Sequence, residues 1–593
     1  MRLLAAPARL AANGLWWLLC APEALRFHRA CADAAGVAAA QEHLLLRLLA
    51  RNAETEYGRR YGFAGIRSLP EYQERVPLTT YDDYQDAVER IGAGERAVLT
   101  ADPVRLLEPT SGSTAATKLI PYTAALKAEF QRGIAPWIVD LYRREPRLLA
   151  GRAYWSVTPV ARRGERTPGG IPVGFEEDAE YFGALQRALI QSVMAVPGLV
   201  RLIDDVDTFR YVTLLFLLRS RDLALISVWS PTFLLLLVER LPAWWPQLAA
   251  DLAAGALSPP GALEPNLGRK LQALLRPDVR RAAEVHQAYG DALEPAAAHA
   301  RLWPRLRVIS CWADGQAARY APDVARRFPQ ARIQAKGLMA TEGLVSFPLG
   351  NLAGAATTGV AGPIGPAGAA LAIRSHFLEF LPEDAADPTA AGGLPVGATG
   401  RPRLAHELEP GGRYSLALTT GGGLYRYRLH DLVEVAGRYG ACPLVRFAGK
   451  EALVSDWFGE KLNERFVAQA FDGALSGQGL HATFAMVACD DREAPPAYTL
   501  YVEAPDASDP ALRRVAADLE ASLRQNYHYR YCRDLGQLAP LRVFLVDEGA
   551  HSAYLAACRE FGQRLGDVKP VALHPRGGWW RAFRGRSIAP QAP

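Results

Sequence analysis

Short apolar runs separated by long helical stretches are the feature that most constrains the fold of this chain. Three of these runs, 153–157, 223–228 and 306–309, have the composition of β-strands. An amphipathic helix is predicted over 36–61 from a stripe of leucines. Alternation of strands with helices is typical of a layered α/β domain, because each element must bury one face against another.

The C-terminal part of the chain has a different pattern. Two strand-like runs, 483–488 and 498–502, are followed by a helix with Asp509 as the predicted N-cap and Pro510 at its first position. This helix is expected to bury Leu512, Val515, Leu519 and Leu523. A strand over 541–546 and a helix near 552–565 follow it. These elements predict a compact α+β unit.

A chain of 593 residues is too long for a single core. The change of pattern places the joint near 447–451. We therefore expect an α/β fold in two parts: a large layered N-terminal domain, 1–447, and a small α+β C-terminal domain, 448–593, joined by a hinge.

Composition excludes several functional classes. The formal net charge is +5, and no Lys/Arg tract with interleaved aromatic residues occurs, which argues against nucleic-acid binding. The seven cysteines are widely spaced and form no C-x-x-C motif or Cys/His cluster, so neither a zinc site nor a disulfide framework is indicated. A reducing, cytoplasmic location fits best.

The apolar N-terminus has two readings. Arg2 and Arg9 precede the apolar run 15–21, a pattern that resembles a signal segment. Asn13 and Gly14 interrupt the apolar stretch, which argues against that interpretation. A helix that packs on the domain or lies on a membrane surface is expected instead. The longest other apolar stretch, 214–241, is broken by charged residues and predicts no transmembrane segment.

Residues 110–121, TSGSTAATKLIP, have the composition of an anion-binding loop. Small residues let backbone N–H groups close around a phosphate, hydroxyl groups can donate to it, and a lysine adds positive charge. The Walker A pattern is absent. A Ser/Thr/Gly cluster can also be an ordinary loop. The candidate phosphate-binding residues are Ser111, Gly112, Ser113, Thr114 and Lys118.

Four later segments carry further candidates. In KGLMATEGLVSFPLG (336–350), Thr341 and Glu342 could hold Mg²⁺ on nucleotide phosphates, or Glu342 could be a helix-start acid. In GLYRYRLHDLVEV (423–435), Asp431 could accept both ribose hydroxyls, or it could form a surface ion pair with Arg428.

The remaining two segments lie near the predicted hinge and the C-terminus. FAGKEALVSDWFGEKLNE (447–464) contains Lys461, and GDVKPVALHP (566–575) contains Lys569. In isolation Lys569 would be read as a solvated surface lysine. The order of all these segments along the chain supports the functional interpretation more strongly than any one segment does.

In this order the segments resemble the auxin-responsive Gretchen Hagen family of acyl-acid amido synthetases, a branch of the adenylate-forming superfamily. The resemblance covers roughly residues 36–580. It includes segments without catalytic residues: RVPLTTYDDY (75–84), TPGGIPVG (167–174), ISVWSPTFLL (226–235), LWPRLRVISCWADG (302–315) and HFLEFLP (376–382). The composition, rich in Ala, Arg and Leu, is similar to that of bacterial proteins, so plant hormone substrates need not carry over.

The resemblance implies a reaction in two halves, an adenylation domain and a mobile C-terminal domain. ATP, with Mg²⁺, and a carboxylic acid give an acyl-adenylate, and the amine of an amino acid then displaces AMP. Because two anions must approach each other, the site has to supply positive charge and amide dipoles.

Individual roles follow from the same resemblance. Ser111–Thr114 and Lys118 match the phosphate loop, and Thr341 and Glu342 match the nucleotide and Mg²⁺ motif. Asp431 matches the ribose-binding aspartate, Lys461 falls in the motif after the hinge, and Lys569 matches the C-terminal lysine that reaches the reacting groups during adenylation.

The chain departs from the family pattern at a few positions. Ala115 and Ala116 replace common glycines, His430 replaces the glycine before the aspartate, and Lys450 replaces the usual hinge arginine. No departure removes a charged group that the chemistry needs. Two alternatives to the amido synthetase are an adenylating ligase with another acceptor, such as a thiol, and a non-catalytic binding protein of the same fold.

Overall fold

The computed structural model describes residues 2–110, 118–155, 165–174, 192–290, 294–314, 317–318, 320–350, 368–382, 401–450, 454–455, 457–458, 460, 462–561, 563 and 568–588. Side chains are described for all of these except residues 2–6, 450, 454, 465, 527 and 531. The chain divides into two compact units, Met1–Ala448 and Gly449–Pro593.

The larger unit contains most of the described helices. In chain order they are α1 (Arg2–Ala30), α2 (Ala34–Arg51), α3 (Glu56–Arg60), α4 (Leu69–Arg75), α5 (Gln85–Gly92), α6 (Ala124–Arg144), α7 (Val206–Arg219), α8 (Pro231–Glu239), α9 (Leu241–Ala254), α10 (Pro265–Gln272), α11 (Val279–Gly290), α12 (Pro295–Leu302) and α13 (Ala321–Arg327).

Its strands form three groups. A hairpin pairs β1 (Leu106–Thr110) with β2 (Lys118–Tyr122). A parallel sheet has the order β3 (Arg152–Trp155), β4 (Leu223–Ser227), β5 (Val308–Cys311) and β6 (Arg332–Ala335). A seven-stranded sheet, in the order β10-β9-β11-β12-β13-β8-β7, is built from β7 (Ser346–Phe347), β8 (Ala369–Leu371), β9 (Phe377–Pro382), β10 (Arg403–Leu404), β11 (Arg413–Thr419), β12 (Tyr427–Tyr439) and β13 (Cys442–Lys450).

Three strands of the parallel sheet, β3, β4 and β5, overlap the runs that the sequence predicts as strands, and β6 was not predicted. Its central strands β4 and β5 are buried along their whole length. Helix α7 covers it with an almost uninterrupted buried run that includes Leu214, Leu215 and Leu218. Helices on the faces of a parallel sheet bury strands that are apolar on both sides, which is why these runs do not alternate in polarity.

Helix α6 joins the two sheets of the larger unit. Its residues Phe130, Trp137 and Leu141 belong to a core that also takes in strands of the seven-stranded sheet. A Cβ atom on Gly133 would lie 2.1 Å from Leu344 Cδ2, so any larger residue here would displace the Leu344 side chain. The helix thereby holds the segment after β6 in place.

Helix α1 packs on the larger unit through one face. Trp16, Cys20 and Phe27 are buried, and the Asn13 amide donates to the backbone oxygens of Leu149 and Gly151. The other face leaves leucines exposed, among them Leu10, Leu15, Leu18, Leu19 and Leu25. No helix in the described part of the chain is both long and apolar enough to cross a bilayer. Contact with a membrane surface stays a prediction.

The smaller unit is a five-stranded sheet covered by helices. Apart from the short pair β14 (Val454–Ser455) and β15 (Leu462–Asn463), its strands are β16 (Phe484–Asp490), β17 (Ala497–Glu503), β18 (Ala539–Val546), β19 (Leu573–His574) and β20 (Gly585–Ile588), in the order β19-β16-β17-β18-β20. Its helices are α14 (Glu464–Gly477), α15 (Asp509–Leu523), α16 (Tyr527–Asp534) and α17 (Ala550–Glu560).

Three boundaries predicted from the sequence were wrong. The N-cap of α15 is Ser508 rather than Asp509, whose carboxylate instead pairs with Arg586. The predicted helix 36–61 is two helices, because the chain turns at Asn52 and Thr55 caps α3. Helix α17 ends at Glu560. The buried stripe of α15 is as predicted: Leu512, Val515, Leu519 and Leu523.

Candidate active site

Thr341 and Glu342 lie at the tip of a tight hairpin, 336–347, that continues β6. Leu338 and Val345 are hydrogen-bonded across it, and Ala340 and Gly343 exchange backbone hydrogen bonds at its tip. A Cβ atom on Gly337 would lie 2.1 Å from the backbone oxygen of Ser346, so the hairpin requires glycine there. Glu342 is therefore a turn residue and not the first acid of a helix, and its side chain is only 8% exposed.

Asp431 lies in a bulge of strand β12. Ser415 of β11 pairs with Leu432 and Ala417 pairs with Arg428, so three residues of β12 oppose one residue of β11. The middle residue of the three, His430, has φ +57°. A glycine adopts this left-handed conformation without steric cost, which explains why glycine suits the position. Asp431 is 4% exposed, so it is buried rather than at the surface.

Tyr427 brings these two carboxylates into one neighbourhood. The pKa of its hydroxyl is raised, first by burial and then by the charges of Glu342, Tyr81, Asp82 and Asp431. The energy of a Coulomb interaction is inversely proportional to the distance between the charges, so the groups that shift this pKa lie near the Tyr427 hydroxyl. The hairpin tip and the β12 bulge therefore face a common region, and the loop around Tyr81 and Asp82 borders it.

Lys118 reaches the same region from the β1–β2 hairpin. It pairs with Thr110, and its Nζ lies 5.5 Å from the centre of the Tyr81 ring. The Tyr81 hydroxyl accepts a hydrogen bond from the backbone N–H of Leu119 at 2.7 Å. Tyr81 thus connects the start of β2 with Tyr427.

Tyr122, at the other end of β2, fixes the position of the hairpin tip. Its hydroxyl donates to the backbone oxygen of Thr341 at 2.5 Å, and its ring stacks on Phe130 of α6. Strand β2 therefore contacts the region at both ends, with Lys118 at one and Tyr122 at the other.

The segment RVPLTTYDDY, which contains no predicted catalytic residue, has a structural role beside the site. Thr79, from RVPLTTYDDY, bonds through its backbone to Arg426 and Arg428 and so extends the sheet beside β12. Arg426 itself has φ +50° and forms a buried ion pair with Glu379, with Nε to Oε2 at 2.9 Å. The segment RVPLTTYDDY therefore positions the part of β12 that carries Tyr427 and Asp431.

The predicted site residues divide into three groups. Lys118 lies over Tyr81, Thr341 is bonded to Tyr122, and Glu342 and Asp431 interact with Tyr427. Lys569 belongs to the smaller unit, where its backbone oxygen accepts a hydrogen bond from the Tyr554 hydroxyl at 3.0 Å and its side chain is half-buried. The predictions for Ser111, Gly112, Ser113, Thr114 and Lys461 lie outside the described residues.

Tyrosines are the residues that sequence reasoning missed. Tyr427 sits inside the segment chosen for Asp431, and Tyr122 directly follows the segment chosen for Lys118. The only signal in the sequence that could have identified these tyrosines was their position close to the candidate residues along the chain. Tyrosines in strands are normally read as core residues, and only the bulge and the hairpin reveal their polar neighbours.

A two-unit α/β chain whose larger unit gathers a lysine, two acids and tyrosines at strand ends has the architecture of an acyl-activating enzyme. Comparison with known protein families gives matches to three domains of one family. The GH3 family N-terminal domain matches residues 26–333, the GH3 family central domain matches 369–450, and the GH3 family C-terminal domain matches 465–575. The chain belongs to the GH3 family.

Similar proteins agree with this assignment. The chain is 26% identical over 613 residues to the probable indole-3-acetic acid-amido synthetase GH3.12 of Oryza sativa subsp. japonica, covering 95% of each. It is 24% identical to the indole-3-acetic acid-amido synthetase GH3.3 of Arabidopsis thaliana, with 86% of this chain and 84% of the relative covered.

A solved structure supports the fold. The AtGH3.15 acyl acid amido synthetase in complex with 2,4-DB matches with a TM-score of 0.76 at 21% identity, over 93% of each chain. The predictions of an α/β fold with a large and a smaller domain, of the family and of an amido synthetase, which is a ligase, are confirmed.

Proposed function

We propose that this chain activates a carboxylic acid with ATP as an acyl-adenylate and then transfers the acyl group to the amine of an amino acid. Adenylate-forming amido synthetases consume ATP in this way. The observation that carries the proposal is the meeting of Glu342, Asp431 and Lys118 around two tyrosines in a member of the GH3 family.

The phosphate end of the nucleotide is assigned to Lys118 and to the loop residues Ser111–Thr114. The carboxylate attacks the α-phosphate while both carry negative charge, so a lysine and backbone N–H groups lower the barrier by opposing the charge that develops. Thr341, held through its backbone oxygen by Tyr122, is assigned to orient the phosphates.

Glu342 is assigned to hold Mg²⁺. The described residues contain no group of three or more His, Cys, Asp or Glu side chains that could hold a metal ion by themselves. Mg²⁺ commonly uses one or two carboxylates together with substrate phosphates, so a single buried glutamate fits it. When bound, Mg²⁺ neutralises phosphate charge and assists the departure of pyrophosphate.

Asp431 is assigned to the ribose hydroxyls, and Lys461 and Lys569 to the smaller unit's part in catalysis. We assign residues 1–447 to binding ATP and the acid, and residues 448–593 to a mobile domain. The proposed location is the cytoplasm, where ATP and amino acids are both available.

The test is acid-dependent exchange of labelled pyrophosphate into ATP across a panel of carboxylic acids, followed by a panel of amino acids and thiols. We expect Mg²⁺-dependent exchange with at least one acid, and amide formation in the second stage. Glu342→Gln serves as the matched control, because it keeps the size of the side chain and removes its charge. A folded protein that neither binds ATP nor exchanges pyrophosphate with any acid would overturn the proposal.

The role of Lys569 has its own test. Lys569→Ala is expected to slow adenylation by the equivalent of about 3–4 kcal/mol, the effect of losing one preorganised donor. Aminolysis of a supplied acyl-adenylate should proceed nearly normally, because the lysine is needed only while adenylation occurs. Equal damage to both half-reactions, or to neither, would contradict this assignment.

A further inference from the structure

One row of side chains runs across the parallel sheet at its carboxyl edge. Trp155 pairs with Ser227, Ser227 with Ser310, and Ser310 with Gln334, so the last part of every strand contributes one residue. We call these four residues the edge row. Paired residues in a parallel sheet project to the same face. The Trp137 indole N–H of α6 donates to Gln334 Oε1 at 3.0 Å, so this face lies toward α6.

Lys336 lies across the edge row. It is two residues beyond Gln334, on the same side of the strand, and its Nζ donates to Ser227 Oγ at 2.7 Å. Because Ser227 belongs to β4 and Lys336 follows β6, the side chain spans the end of β5. Its Nζ also lies 4.9 Å from the centre of the Trp229 ring and 5.3 Å from that of Trp137.

This ammonium has no carboxylate partner among the described residues. Burial lowers the pKa of Lys336 to about 8, and the neighbouring Cys311 acts in the opposite direction. The side chain nevertheless keeps part of its surface accessible, as do Trp155, Trp229 and Trp312. A buried cation without an anion is costly unless a ligand supplies one.

Two further donors in the edge row lack partners. The Trp155 indole N–H and the Ser310 hydroxyl are buried, and neither makes a hydrogen bond to any part of the chain that the structure describes. These residues flank Ser227 on either side, so both lie within two strand spacings, about 10 Å, of each other. Buried polar groups without a partner are rare in native proteins and need an explanation. Here all three groups can donate, which suits an anionic acceptor.

We propose that Lys336, with Trp155 and Ser310, binds a second anionic group of the acid substrate, such as a carboxylate, at the end remote from the carboxyl group that is activated. The inference rests on the proposed function. Thr341 is five positions beyond Lys336 along the hairpin, and at about 3.3 Å per residue the two ends of the site are on the order of 15 Å apart along the chain. Trp229 and Trp137 then provide flat walls for an aromatic body between the two ends.

The experiment uses three rigid acids and the full-length chain. Biphenyl-4,4′-dicarboxylate carries a second carboxylate at the far end, biphenyl-4-carboxylate lacks it, and terephthalate has both carboxylates but is too short. Binding is measured by calorimetry, and activation by pyrophosphate exchange. We expect the long diacid to bind the wild-type chain about ten- to a hundredfold more tightly than the other two.

Two variants locate the effect. Lys336→Met keeps the length and removes the charge, and it should abolish the preference for the diacid while leaving the affinity for biphenyl-4-carboxylate unchanged. Lys336→Arg should retain part of the preference. Melting temperatures confirm that each variant is folded.

Three results would overturn the inference: no preference of the wild-type chain for the diacid, an unchanged preference in Lys336→Met, or an equal loss of both biphenyl acids. The last would mean that Lys336 binds the reacting carboxylate. Failure of the proposed function is recognised separately, because it requires that pyrophosphate exchange be absent with every acid in the wider panel. A chain that activates other acids but ignores the long diacid refutes only the present inference.

Discussion

Arg426 and Lys336 are two buried cations of the larger unit with opposite surroundings. Arg426 pairs with Glu379 and donates to the backbone oxygens of Gln73 and Val76, so its hydrogen-bonding capacity is used within the fold. Among the described residues, the Lys336 ammonium donates to one hydroxyl group and lies over two indole rings. A charge that the protein itself neutralises contributes to structure. A charge that the protein leaves without an anion is available to a ligand, and the predictions below test this distinction.

The largest expected effect is on stability. Glu379→Ala should lower the free energy of unfolding by about 3–5 kcal/mol, because it leaves the Arg426 charge buried without its partner. Urea denaturation followed by tryptophan fluorescence measures this. Glu434→Ala is the matched control in the same sheet: its partly exposed pair with Arg413 should contribute less than about 1 kcal/mol.

Lys336→Met completes this comparison. It should change the free energy of unfolding by no more than about 1 kcal/mol, since methionine fills the same space without a charge to desolvate. A loss as large as that of Glu379→Ala would show that both cations are structural and would remove the distinction.

Asp431→Ala should weaken ATP binding by about 2–3 kcal/mol, the scale for losing hydrogen bonds to a charged group. The midpoint of urea unfolding should stay close to that of the wild type, because the proposed partner of this buried acid is the ribose. Calorimetric titration with ATP provides the measurement. Unchanged affinity together with lower stability would place Asp431 with Arg426 among the structural charges.

The pH dependence of diacid binding is a smaller effect. The lowered pKa of Lys336, about 8, means that the free chain loses the ammonium proton as the pH rises through 8. The preference for the long diacid should be complete below that value and fall about tenfold per pH unit above it. Cys311 is the titratable neighbour, and burial raises the pKa of its thiol to about 12, so it stays neutral across this range. A preference that is flat up to pH 10 would exclude Lys336 as the anion's partner.

The smallest effect concerns the β12 bulge. His430→Gly removes the steric cost of φ +57° and should raise the free energy of unfolding by at most about 1 kcal/mol. His430→Ala retains the strained conformation and serves as the control. If the glycine variant is less stable than the alanine variant, contacts of the histidine outweigh the backbone strain.

Sequence reasoning recovered the regular parts of the fold well. The strands at 153, 223 and 306 were visible because each is a short apolar run between helical stretches. The Asp509 cap was wrong by one residue because Ser508 and Asp509 are both good capping residues, and proline is tolerated in either register.

Only part of the candidate site could be predicted from the sequence, and the roles of its residues stay predictions. Glu342 and Asp431 were identified from motifs that resemble a known family. Lys336 was not predicted because a single lysine has no periodicity, and its proposed role comes from a side chain that crosses the end of β5 to reach Ser227. The bulge that turns Asp431 inward was also missed, because its left-handed residue is a histidine where a glycine would have been a signal.

Helix α1 has a practical consequence for anyone who shortens this protein. The family match begins at residue 26, which suggests trimming everything before it. Such trimming would remove Trp16, whose ring centre lies 5.8 Å from that of Trp155, and Asn13, which holds the turn before β3. The shortened protein would expose tryptophan at one end of the edge row, and aggregation or proteolytic nicking of such a fragment would reflect a missing helix rather than an unstable domain.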